Sequence, residues 1–255
     1  MNSLRCLCGT LVLSLATVAW CQKATPSKLM KEFAKQQQDF DAAEDKFYEL
    51  VEQARKAKKT VDPKLDPAIK FKPIFVRIAK KAIHDPGGAG CEYMVMQTAR
   101  EDRKEIQASF DRTMTFHLDH TLIQSDLYAI QEECRILSNG KSDGKYQDAL
   151  KVIEKKSKLI ENKAGALVAL GEYTGSSYSN PHKDPKQAAQ IFRQVVARYP
   201  STKGAKRATS SLFEMENLQV GMVAPDFEQT DQDGKSWKLS EYRGQVIVLD
   251  FWGFW

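Results

Sequence analysis

Gln245-Val246-Ile247-Val248-Leu249-Asp250-Phe251-Trp252 is the stretch whose reading decides the fold class of this chain. A continuous apolar run rich in β-branched residues suits a strand buried on both faces, in the middle of a sheet. The residues upstream lead into it. Glu241-Tyr242-Arg243-Gly244 turns the chain, and Trp237-Lys238-Leu239-Ser240 alternates like a half-exposed strand. Asp231-Gln232-Asp233-Gly234-Lys235 is a turn with Asp-Gly at its centre, the strongest short hairpin signal. Ala224-Pro225-Asp226-Phe227 enters the hairpin as a short extended run. The pattern predicts a hairpin feeding a central strand of a larger sheet, and by itself it names no activity.

Upstream of residue 218 the grammar is helical. Between residues 27 and 59 the apolar positions Leu29, Met30, Phe33, Phe40, Ala43, Phe47, Leu50, Val51 and Ala54 step mostly by three and four, which predicts an amphipathic helix. Thr60-Val61-Asp62-Pro63 ends it. Asp66-Pro67 opens a second helix, with Asp as N-cap and Pro at the first helical position; Pro73 is expected to kink that helix or delay its start. His84-Asp85-Pro86-Gly87-Gly88-Ala89-Gly90 reads as a turn. No strand precedes it and no Gly-Lys-Ser/Thr follows, so it is not a phosphate loop. Further helices are expected over residues 91–99, 102–117, 121–137, 146–160 and 164–173, with a loop at 138–144 and a polar turn-rich stretch at 175–184. Asp184-Pro185 starts another capped helix ending at Tyr199-Pro200, and a bridging helix follows over 203–217. Ala188, Phe192, Val195 and Pro200 fall at the offsets used by the second helix of a tetratricopeptide repeat, with Val in place of the usual small residue. The preceding helix lacks the expected Leu-Gly-Tyr spacing, so the expectation is a single degenerate half-repeat within a stack of helix pairs, or a less regular bundle.

The first residues read as a targeting segment. Arg5 precedes an apolar run from residue 6 to 20, too short to span a bilayer and flanked as a signal peptide is. Thr17-Val18-Ala19 offers small residues for cleavage after Ala19, with Cys21 and Ala24 as other exits. Trp20 sits where a lipoprotein signal requires a small residue. This predicts domains at 1–21 (signal peptide), 25–217 (helical) and 218–255, and an exported protein of the periplasm or cell envelope that meets the membrane only through its export signal. Cys91 and Cys134 are then the cysteines of the mature helical part; an oxidising compartment permits a bridge between them, and two buried thiols fit the sequence equally. The chain holds 38 basic and 33 acidic residues, a small excess spread along its length. Its densest basic run, Arg55-Lys56-Ala57-Lys58-Lys59, suits the C-terminal end of a helix and lacks the interleaved aromatics of a nucleic-acid surface, so no nucleic-acid partner is expected. His117 and His120, with Asp119 between them, have no evident third ligand and read as a polar helix end, and no metal or cofactor is expected. Neither a Gly-x-Ser-x-Gly nor a His-Glu-x-x-His pattern is present.

One resemblance is specific. Val220-Gly221, Ala224-Pro225-Asp226-Phe227, Asp233-Gly234-Lys235, Leu239-Ser240-Glu241-Tyr242-Arg243-Gly244 and the run from Val246 to Phe254-Trp255 follow one another as at the start of a TlpA-like thiol–disulfide oxidoreductase domain, a redoxin-type (AhpC/TSA) branch of the thioredoxin superfamily. The helical region before it, most of all residues 186–217, is similar to the one that some bacterial envelope proteins place ahead of such a domain. The fold class expected is therefore mainly α: a helical domain, tetratricopeptide-like or a bundle, followed by the first β-strands of a thioredoxin-like α/β domain. In the family a Cys-x-x-Cys motif follows the second Trp at a helix N-terminus, where unpaired N–H groups favour the thiolate. The sequence is read as stopping before that motif, so no catalytic residue carries over; Phe251, Trp252 and Trp255 are the residues adjacent to the redox site. The Trp-flanked strand end favours disulfide exchange over hydroperoxide reduction, and a peroxiredoxin-type antioxidant parent is the weaker alternative. The implied partners are protein thiols and disulfides of the envelope, with a protein partner on the helical domain. The competing expectation is a non-catalytic helical binding or scaffold module.

Overall fold

The computed structural model describes residues 26–100, 102–120, 127–141, 143–176, 180 and 182–250. Nine α-helices occupy the described residues up to 217: α1 Lys28–Lys56, α2 Pro67–Lys81, α3 Gly88–Ala99, α4 Arg103–Phe116, α5 Leu127–Leu137, α6 Lys145–Lys156, α7 Ile160–Gly175, α8 Pro185–Arg198 and α9 Lys203–Asn217. Each helix packs on the next in sequence, and α3 on α5, α4 on α6 and α7 on α9 also touch. The molecule is mainly helical with the opening of a thioredoxin-like sheet at its C-terminal end, as the sequence predicts.

The caps explain where the helices begin. Ser27, Asp66, Asp102, Asp184 and Thr202 each accept a hydrogen bond from an N–H in the first turn that follows, satisfying donors a helix N-terminus leaves unpaired. With Asp66 as cap, α2 starts at Pro67 and runs through Pro73, so the proline does not delay the start. The break expected between the helices at 146–160 and 164–173 falls earlier in the chain. α6 ends at Lys156 and α7 starts at Ile160, because Asp119 reaches the corner from outside both helices and accepts from the Lys158 N–H at 2.5 Å and the Ser157 hydroxyl at 3.3 Å. Ser157 Oγ in turn accepts from the Leu159 N–H. The helix expected over 121–137 begins, within the described residues, at Leu127.

Three apolar clusters run along the stack. The first joins α1, α2 and α3 through Phe33, Phe40, Phe71, Phe75, Ile78 and Cys91, with edge-on ring pairs such as Phe40–Phe71 at 5.5 Å, each worth about 0.5–1.5 kcal/mol beyond its area. The second gathers Leu118, Ile130, Cys134, Leu150 and Ile153. The third holds Ala188, Phe192 and Val195 of α8 against α7 and α9. α7 serves both, with Ala166 and Tyr173 in the second and Ala164, Leu167 and Val168 in the third. Between α3 and α4 the link is ionic: Arg112 grips the buried Glu92 through two bonds of 2.6 and 2.8 Å, and Ser109 donates to the same carboxylate at 2.9 Å.

Candidate functional site

After α9 no described residue is buried. Strands β1 (Glu228–Thr230) and β2 (Ser236–Lys238) pair antiparallel, Gln229 opposite Trp237. The Asp-Gly turn forms as its sequence predicts: Asp231 accepts from the Asp233 and Lys235 N–H groups at 3.0 and 2.9 Å, and Gly234 supplies the left-handed φ of +78°. β2 is shorter than the alternation implied. At Leu239 the chain enters a 3-10 turn, Leu239–Tyr242, because Asp226 accepts from the Ser240 N–H at 2.8 Å and the Ser240 hydroxyl at 2.7 Å. Those two bonds hold the Asp226 carboxyl below the usual carboxylate range. Phe227, Trp237 and Tyr242 stack edge-on in sequence, with centroids 5.6 and 5.8 Å apart. Residues 226–242, which hold the middle motifs quoted from the sequence, thus fold into one small self-bonded unit.

The described part of the expected central strand, residues 246–250, forms no regular element and has no strand partner among the described residues. Val246 and Val248 are open to solvent, while Ile247 and Leu249 are about half as exposed. A strand needs a neighbour's N–H and C=O groups, and the described strands β1 and β2 pair with each other and not with this run. Phe251, Trp252 and Trp255, the residues placed next to the redox site, lie outside the described residues.

The other candidate groups are structural. Cys91 and Cys134 are both free thiols, buried in different clusters, so the possibility of a bridge left open by the sequence resolves to none. Burial pushes both thiols up, Cys134 to about 12, the reverse of what a nucleophilic thiolate requires. His117 is 4% exposed and packs on Gly88, its Nε2 buried without a partner; burial, then His120, Arg112 and His84, push it down to about 4. Asp119 is spent on the α6–α7 corner. Among the described residues no group of three or more His, Cys, Asp or Glu is arranged to hold a metal, and no helix is long and apolar enough to cross a membrane. Sequence reading missed the Asp226–Ser240 clasp and the Phe227–Trp237–Tyr242 stack. The fourteen-residue spacing of the clasp and the uneven spacing of the rings carry no periodic signal, and only the motif order marked them.

The AhpC/TSA family profile matches residues 220–255. The chain is 45% identical over 47 residues to the thiol-disulfide oxidoreductase ResA of Geobacillus kaustophilus, covering 18% of this chain and 27% of that protein. The C-terminal segment is TlpA-like, of the thioredoxin superfamily. This TlpA-like segment is also 43% identical over 42 residues to ResA of Geobacillus thermodenitrificans, 16% of this chain and 24% of the relative, and 40% over 42 residues to ResA of Bacillus anthracis, again 16% and 24%. The chain therefore spans about a quarter of the length of these curated relatives. No solved structure matches it.

Proposed function

We propose that this protein is an exported thiol–disulfide oxidoreductase whose TlpA-like domain exchanges disulfides with protein thiols in the periplasm or cell envelope. The observation that carries the reading is the clasp of Asp226 on Ser240, which ties two of the family motifs together across the hairpin, over residues that match the family and the ResA relatives. Support for disulfide exchange over peroxide reduction comes from the names of those relatives and from the Trp-flanked end of the 245–252 run.

In this reading residues 1–21 are a signal peptide, 25–217 a helical domain of stacked helix pairs and 218–255 the opening of the redox domain. The thiols of the helical part take no share in the chemistry, since both are buried and held protonated. The attacking thiolate belongs to the Cys-x-x-Cys that the resemblance puts after Trp255, at a helix N-terminus that favours its charge. Asp226 and Ser240 hold the hairpin to the 3-10 turn that precedes the run leading to that position. The helical domain presents a surface for a protein partner.

The test is to sequence the coding DNA through and past the Trp255 codon and then assay insulin reduction by the encoded protein. A reading frame that continues into Cys-x-x-Cys, with reduction lost when either cysteine becomes serine, supports the proposal. A stop codon directly after Trp255 overturns the enzymatic reading and leaves a helical binding module.

A further inference from the structure

The two sides of α2 differ in an unusual way. On the inner side Phe71, Phe75, Ile78 and Ala79 fill the first cluster. The residues that α2 exposes are Ile69, Lys70, Pro73, Arg77, Lys80 and Lys81. At 3.6 residues per turn those six fall within an arc of about 120°, opposite the buried residues. The outward face of the helix is therefore four cations and two apolar residues, with no acidic and no neutral polar side chain. Ile69 is 59% exposed, and Leu65, in the 3-10 turn just before the helix, is 57% exposed. A helix face left to water ordinarily mixes both signs of charge with polar groups.

Charge is concentrated on this helix. α2 holds Lys70, Lys72, Arg77, Lys80 and Lys81 and no acid, a surplus equal to the whole chain's excess of 38 basic over 33 acidic residues. Its neighbours offset that surplus only at the edges. Arg77 pairs with Glu32 of α1, and Lys72 pairs with Asp102 at 2.8 Å. The Glu32 carboxyl is held below its usual range first by the Arg77 hydrogen bond, and also by the charges of Lys81 and Lys28. Lys70, Lys80 and Lys81 form no ion pair among the described residues. Toward α4 the face falls into an open groove, lined by Pro73, Val76, Lys80 and Lys81 and bounded by Asp102 and Glu105.

We propose that the outward face of α2 docks on a membrane surface rich in anionic phospholipid. Ile69 and Pro73 seat at the boundary between headgroups and acyl chains, and Lys70, Arg77, Lys80 and Lys81 meet the phosphates around them. Lysine suits that arrangement, because its stem lies along apolar surface while its ammonium reaches the polar layer. Basic side chains beside apolar ones on a single face are what a helix lying in the interface plane carries. The same composition disfavours an acidic protein as the occupant. Protein interfaces are depleted in Lys and centred on aromatic or Arg anchors in pockets, whereas three of the six exposed residues here are Lys and none is aromatic. No helix among the described residues is long and apolar enough to cross a bilayer, so the docking is peripheral. It adds to the membrane contact that the export signal would make, and it does not depend on the redox reading.

Cosedimentation of the full chain with vesicles tests this, using phosphatidylcholine alone and phosphatidylcholine mixed with phosphatidylglycerol. Binding to the neutral vesicles reads the apolar run at 6–20, and the gain on the anionic ones reads α2. The expected result is a clear gain that falls as salt is raised. Lys80→Glu combined with Lys81→Glu lowers that gain by about tenfold or more. Lys58→Glu combined with Lys59→Glu, in the densest basic run of the sequence, leaves it unchanged. Ile69→Gln, at an exposed position where Gln is a good helix former, keeps the helical circular dichroism and weakens anionic-vesicle binding by about fivefold. The proposal is overturned by the absence of a gain, by a gain indifferent to the α2 variants, or by one that both double variants reduce alike. Tighter binding to poly-glutamate than to the anionic vesicles overturns it as well, and makes an acidic protein the occupant.

Discussion

Gly171 sits on α7 where the ring of Phe192 comes down. A β-carbon added there meets Phe192 Cε1 at 2.6 Å and two further ring atoms at 3.0 Å. The ring belongs to the third cluster and has no free side to move into, so Gly171→Ala is expected to destabilise the helical domain by about 1–3 kcal/mol, the usual result of overpacking. Urea unfolding followed at 222 nm measures it. His117 gives a pH test. In the unfolded chain it takes up a proton near 6.5, whereas in the fold it stays neutral down to about 4. Its contribution is therefore complete above pH 6.5 and is lost as pH falls from there toward 4, since the unfolded state binds the extra proton. Replacing His117 with Phe is expected to flatten that part of the urea-midpoint-against-pH curve; a curve of unchanged slope assigns the loss to other groups.

The helices and the hairpin differ in how far their sequence announces them. Asp66-Pro67 and Asp184-Pro185 were legible as helix starts because cap and proline act within one turn, and the structure has both. Asp184→Ala is expected to cost about 1 kcal/mol, the ordinary value of a cap, seen as a lower thermal midpoint. The break between α6 and α7 was legible but read at 161–163 instead of 157–159, since the group that positions it is Asp119, far away in sequence. Gly171 was missed for a related reason. The expected Leu-Gly-Tyr spacing is absent, yet the glycine still receives the Phe192 ring, and only the packed pair reveals it. The hairpin was legible from Asp-Gly, while the 3-10 turn that shortens β2 was not, because Asp226 imposes it across the hairpin. The Asp226→Ala variant is expected to lose amide protection at Ser240 and the near-ultraviolet signal of Trp237, both visible in the intact chain by hydrogen exchange and circular dichroism. The α3–α4 link should be the costliest to cut. Arg112→Ala leaves the Glu92 carboxylate, 2% exposed, without its partner, and about 3–5 kcal/mol of destabilisation is expected in the same urea experiment.

The molecule as a whole divides its character between a buried, clustered helical stack and an open C-terminal segment. That division was readable from the change in periodicity near residue 218. The fate of the 246–250 run was not, because burial of a strand depends on neighbours that its own residues do not specify. The two halves should respond differently to chemical probes. Cys91 and Cys134 are shielded in the native stack, so a thiol reagent is expected to label them only at the rate of unfolding, and labelling at the rate of a free thiol in native buffer contradicts the packing described above.

The corner at Ser157-Lys158-Leu159 bears on how the stack assembles. Most of its helix contacts join neighbours in sequence, the arrangement that favours rapid folding. Asp119 makes one of the links that reach further, its carboxylate clipping a backbone N–H 39 positions later. Ser157 caps the bend locally through the Leu159 N–H, but the Lys158 N–H gains its carboxylate acceptor only when residue 119 arrives. The clip is therefore expected to close after the helices on either side have packed on their sequence neighbours, and Asp119→Ala to slow refolding in stopped-flow fluorescence.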